Sequence, residues 1–90
     1  MNPQQELITR LALHYVHVWP TEAWQDVAGA DGAGEYESAA WLFLINSVEQ
    51  ELPVETSHLN EISGVFHPAE GADQFYSYIQ TLRKRQLTAA

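Results

Sequence analysis

Apolar positions recur along much of this chain with the 3.6-residue rhythm of a helix rather than the alternation of a half-buried strand. Near the start, Leu7, Ile8, Leu11, Ala12, Tyr15, Val18 and Trp19 share one broad sector, and Glu6, Arg10, His14 and His17 share the opposite one. The spacing predicts an amphipathic helix over about 3–19. Asn2 is placed to cap it, Pro3 suits its first position, Gln5 stands where a reciprocal capping residue belongs, and Pro20 stops it. Thr21 is then the expected cap of a short helix over 21–28 that turns Ala23, Trp24 and Val27 inward. GADGAG, residues 29–34, is rich enough in glycine to be read as the main flexible loop.

The stretch EYESAAWLFLINSVEQ predicts a central helix over about 35–51. Trp41, Ile45, Val48 and Leu52 lie on one side of it, and Tyr36, Ala40, Phe43 and Leu44 on another. An apolar surface that wide belongs to a helix packed by several neighbours. WLFLI, residues 41–45, has a buried-strand alternative, against which the length of the stretch and its flanking alanines favour helix. Pro53 breaks the chain, and Ser57 is the expected cap of a short helix over 57–63 that carries Leu59 and Ile62 and stops at Gly64. GVFH, residues 64–67, has an extended alternative. Pro68 opens a last helix over 69–86, where Phe75, Tyr78, Ile79 and Leu82 form a single buried stripe. Glu70 and Asp73 near its start, and Arg83, Lys84 and Arg85 near its end, complement the helix dipole. The fold class is all-α: one domain over 1–90, a small bundle of three main helices plus two short ones.

Composition supports a folded globule. The chain is 46% hydrophobic, with five glycines and four prolines, and ten aromatic rings supply burial to a small core. It holds no cysteine, which excludes disulfides, thiolate metal sites and cysteine nucleophiles. The first ten residues lack the basic flank and apolar run of a secretory signal, and AAWLFLI at 39–45 is far too short to span a bilayer. The expectation is a soluble, cytoplasmic protein with no membrane partner.

Charge alters the picture more. Twelve acids face four bases for a formal charge of −8. All twelve acids, and only Arg10 among the bases, fall in residues 1–82, which makes that body −11. Such a body repels nucleic acid and favours basic partners. The RKR run at 83–85 is read as dipole complement rather than a nucleic-acid footprint.

Candidate chemistry is sparse. His14 and His17 have a ligand spacing on a helix, but they lack a third ligand in the same segment, and Arg10 shares their face; His58 and His67 lie in separate later segments. They are weak metal candidates, and neither a metal nor any other cofactor is expected. Ser38, Ser47, Ser57, Ser63 and Ser77 stand outside any G-x-S-x-G context. GADGAGE matches neither the dinucleotide nor the P-loop pattern, and an EF-hand register on Gly32 puts Val27, Gly29 and Ser38 where carboxylates are needed. No enzyme is read here.

SVEQELP at 47–53, followed by a short helix, and GAD before the central helix give an outline similar to that of acyl carrier proteins. The resemblance covers about half of the chain. Carriers attach phosphopantetheine to the serine of an Asp-Ser-Leu motif at a helix start; here that stretch reads Asp31-Gly32-Ala33-Gly34, and Ser38 lies inside EYESAA. A degenerate carrier-like or small-ligand-binding protein is one alternative. A structural subunit, with Trp19 or Trp24 exposed for an obligate partner, is another. The leading expectation is an acidic protein-interaction module: a regulator or inhibitor, of the immunity-protein or nucleic-acid-mimic type, that binds a basic surface of a partner protein. Its expected contact acids are Glu22, Asp26, Asp31, Glu35 and Glu37 around the glycine-rich loop, and Glu49, Glu51 and Glu55 about the Pro53 turn.

Overall fold

Five helices make up the regular structure of the computed structural model, which describes residues 2–88: α1 (Pro3–Tyr15), α2 (Thr21–Gly32), α3 (Tyr36–Glu49), α4 (Thr56–Val65) and α5 (Ala72–Thr88). No strand occurs among the described residues. Helix α3 lies against α1, α2 and α5, and α1 lies against α2, α3 and α4, while α4 meets α5 on the far side. The shortest dimension, 19 Å, is about two helix diameters. Phe43, Phe66, Phe75, Leu44, Ile62 and Ile79 are all but fully buried where the helices meet.

Helix α1 begins as its sequence directs, with Pro3 in the first turn and the Asn2 side chain accepting the N–H of Gln5 at 2.7 Å. It ends four residues earlier than expected. The N–H groups of Val18 and Trp19 both turn back to the Tyr15 carbonyl, so the wheel that joined Val18 to Trp19 no longer applies. Trp19 swings into the core, stacks on Phe43 and donates its indole N–H to the Pro53 carbonyl at 2.9 Å. Val18 stays half exposed.

The glycine-rich stretch is the main correction. Helix α2 runs through Gly29 to Gly32, because Ala30 is buried and the helical bonding continues past the glycines. It stops at Gly34, whose φ of +75° closes the helix: Gly34 N–H bonds to the Asp31 carbonyl, and Glu35 N–H to the Ala30 carbonyl at 2.9 Å. That is the Schellman arrangement. Thr21 does not cap; it is the first helical residue, after Pro20, and no side chain caps this end.

Helix α3 ends the same way without a glycine. Glu51 takes φ +52°, and Leu52 N–H returns to the Ser47 carbonyl at 3.1 Å. Arg85, expected to serve the dipole of its own helix, also reaches the end of α3 and donates to the carbonyls of Ser47 and Leu52. Helix α4 is longer than expected: it starts after Glu55 rather than at Ser57, and it contains Gly64 instead of stopping there. Phe66 is extended and fully buried. Pro68 is buried in the connection and does not open α5, which begins after Gly71. Gly71 has φ +72°, and a Cβ there would sit 3.2 Å from the Trp41 ring. Glu70 thus lies outside α5, while Asp73 is in its first turn.

Candidate functional site at the α1–α4 junction

The last turn of α1 and the start of α4 bring four polar side chains together. Tyr15 points inward and is 3% exposed, whereas its neighbour His14 points outward. Glu55 precedes the first turn of α4, and His58, three residues on, is half-buried against both rings. The His14 and His58 rings meet edge-on with centroids 4.7 Å apart. His14 Nε2 lies 2.5 Å from Glu55 Oε2, and His58 Nδ1 lies 3.9 Å from the same oxygen.

The Tyr15 hydroxyl orders this cluster. It accepts the backbone N–H of Glu55 at 2.9 Å and shares a hydrogen bond with His58 Nδ1 at 2.8 Å. Burial pushes the Tyr15 phenol up to about 12, with the Glu55 carboxylate adding to it and the Glu55 N–H opposing. Burial also holds His58 below its ordinary value; His14 and Arg10 act in the same direction, and Glu55 and Glu61 oppose them. Arg10, one turn before His14, forms an ion pair with Glu61 at 2.8 Å. This hydrogen bond lowers the Glu61 carboxyl and raises the guanidinium.

The sequence paired His14 with His17, and the structure separates them. His17 lies in the turn after α1, exposed, and off the helix face that the spacing assumed. His58 takes its place. Glu55 and His58 are legible as neighbours by their i, i+3 spacing, but nothing local ties them to His14, 41 residues before Glu55. Ser47 is buried and donates its hydroxyl to the Phe43 carbonyl at 2.6 Å within α3.

The expected contact acids regroup along the α2–α3 pair. Because α2 is a continuous helix, Glu22 lies about 14 Å along its axis from Asp31 instead of beside one loop. Glu22 and Asp26 line a surface groove with Pro20, Thr21 and Gln50, and Glu49 and Glu51 flank Gln50 in the chain. Asn46 joins the two helices here, donating to Asp26 at 3.1 Å while Gln50 donates to its carbonyl oxygen at 2.7 Å. Asp31, Glu35 and Glu37 sit at the other end. Asp31 accepts from Thr9 at 3.1 Å, and Glu55 is engaged by His14. Glu22, Glu35, Glu37, Glu49 and Glu51 are exposed, with no ion pair among the described residues. The aromatics expected to await a partner are covered: Trp19 is buried, and half-buried Trp24 donates to the Ala12 carbonyl at 2.7 Å.

Comparison with family models, curated proteins and solved structures finds no match to this chain. Among the described residues, no helix is long and apolar enough to cross a membrane.

Proposed function

We propose that this small helical bundle is an acidic interaction module that binds a basic surface of a partner protein through the outer side of α2 and the ends of α3. The observation that supports this reading is the asymmetry of charge use. Arg10 pairs with Glu61, and Arg83 and Arg85 donate to neutral oxygens of Asn60, Ser47 and Leu52, while Glu22, Glu35, Glu37, Glu49 and Glu51 are exposed and make no ion pair among the described residues. Glu51 adds a specific point. A left-handed position that ends a helix favours glycine or asparagine, and here it carries an exposed carboxylate, next in the chain to Gln50 of the α2–α3 groove and lining a second groove with Leu52, Pro53 and Arg85. Unpaired surface acids add little to stability, but they speed association with a cationic patch and make it salt-sensitive.

The test is affinity purification of the tagged chain from its source, then binding kinetics of the recovered partner over a salt series. Replacing Glu22, Glu49 and Glu51 by Gln should slow association by about tenfold, while the charge-matched set Glu6→Gln, Glu70→Gln and Asp73→Asn leaves it near wild type. Acidic partners, salt-indifferent binding or equal losses in the two sets would overturn the reading.

A further inference from the structure

We propose that His14, Glu55 and His58 form a binding site for a late first-row divalent ion, of which zinc is the test case, that clamps the end of α1 to the start of α4. The three side chains offer one donor atom each, and these atoms all lie within 4.8 Å of one another. Metal–donor lengths of about 2.0–2.2 Å put tetrahedral donors roughly 3.3–3.6 Å apart. A pair at the 4.8 Å limit therefore closes by roughly 1.2–1.5 Å, and the 2.5 Å His14–Glu55 contact opens by about 1 Å. His14, 45% exposed, and Glu55, 54% exposed, have room to move, while His58, 14% exposed, stays packed against Tyr15.

The donor chemistry fits the same class of ion. Two imidazoles favour zinc, nickel or copper over calcium and magnesium, which take oxygen ligands, and zinc also accepts the one carboxylate. The open side of His14 and Glu55 leaves room for water as a further ligand. A bound ion supplies positive charge between the His14 and Glu55 side chains, which approach to 2.5 Å, and ligation takes the neutral ring and the carboxylate. The cation that argued against a metal from sequence, Arg10, is held by Glu61. Tyr15 fixes the Glu55 backbone and packs against the His58 ring, and where His58 Nδ1 is the donor its contact with the Tyr15 hydroxyl is exchanged for the ion.

Titration of the metal-free full chain with zinc chloride at neutral pH tests this, with calorimetry for stoichiometry and ring resonances for the four histidines. The expected result is one ion per chain, perturbed His14 and His58 rings, unperturbed His17 and His67 rings, and a higher thermal midpoint. His14→Gln, at an exposed position that leaves the core intact, should weaken binding by about tenfold or more, as should Glu55→Gln. The double variant His17→Gln/His67→Gln should bind as wild type and separates this site from general attraction of cations to an acidic surface. The absence of saturable binding, an unchanged affinity in His14→Gln, or a response centred on His17 or His67 would each overturn the proposal.

Discussion

Replacing Tyr15 by Phe removes one oxygen and leaves the ring contacts with Trp19, Phe43 and His58 in place. Two bonds go with it: the one accepted from Glu55 N–H at 2.9 Å and the one shared with His58 Nδ1 at 2.8 Å. Each is worth about 0.5–1.5 kcal/mol net, and a donor left dry costs more. Glu55 is exposed and His58 only half-buried, so water recovers part of the loss. The expected destabilisation is about 1–2 kcal/mol, or roughly 5–15 °C in the thermal midpoint of a chain this short. Urea denaturation followed by tryptophan fluorescence measures it, with an unchanged slope showing that the same surface unfolds. A double-mutant cycle with His58→Asn isolates the shared bond, for which a coupling of about 0.5–1 kcal/mol is expected. If Tyr15→Phe unfolds within experimental error of wild type, the hydroxyl does not hold the junction and the account of the cluster fails.

Within GADGAG, two alanine substitutions should act with opposite sign. Gly29→Ala, in mid-helix with open space for a Cβ, should stabilise by about 0.5–1 kcal/mol. Gly34→Ala forces a side chain onto φ +75° and should destabilise by about 1–2 kcal/mol; equal effects in thermal melts would contradict the helix end placed here. Glu51→Gly should relieve the left-handed strain and raise stability by about 1 kcal/mol while slowing partner association. A variant that is neutral in urea titration would show that no strain resides there. Glu61 is held below its ordinary value by Arg10, so its contribution is present above about pH 4.5 and is lost as pH falls through the lowered value. Since both side chains are largely solvated, the loss is only about 0.2–1 kcal/mol, and Glu61→Gln should flatten the acid limb of the stability profile by that amount; parallel limbs would refute it.

Much of the helical frame is legible one residue at a time. The Asn2 cap, Pro3 in the first turn and the stripe of Phe75, Ile79 and Leu82 depend on neighbours within a turn or two, which is the range over which side-chain pattern and backbone bonding inform each other. Errors gather where a local rule was outvoted. Three glycines signal a loop by composition, yet burial of Ala30 and the bonds continuing past Gly29 keep α2 helical until a positive φ is needed, at Gly34. Prolines misled in the same way: Pro20 only follows a turn already made at Tyr15, and Pro68 is buried ahead of α5 rather than within its first turn.

The sequence by itself determined an all-helical chain, the main apolar stripes, the lack of thiol chemistry and an acidic body, because each follows from residue type or from spacing within one element. The tertiary structure alone decided which polar groups meet. His14 finds Glu55 and His58 because α1 packs against α4, Arg85 reaches the end of a helix 33 to 38 residues before it, and the acids divide between the two ends of α2–α3. Such contacts depend on how helices lie across one another, and no short-range pattern encodes that. The chemistry worth testing here lies at that junction.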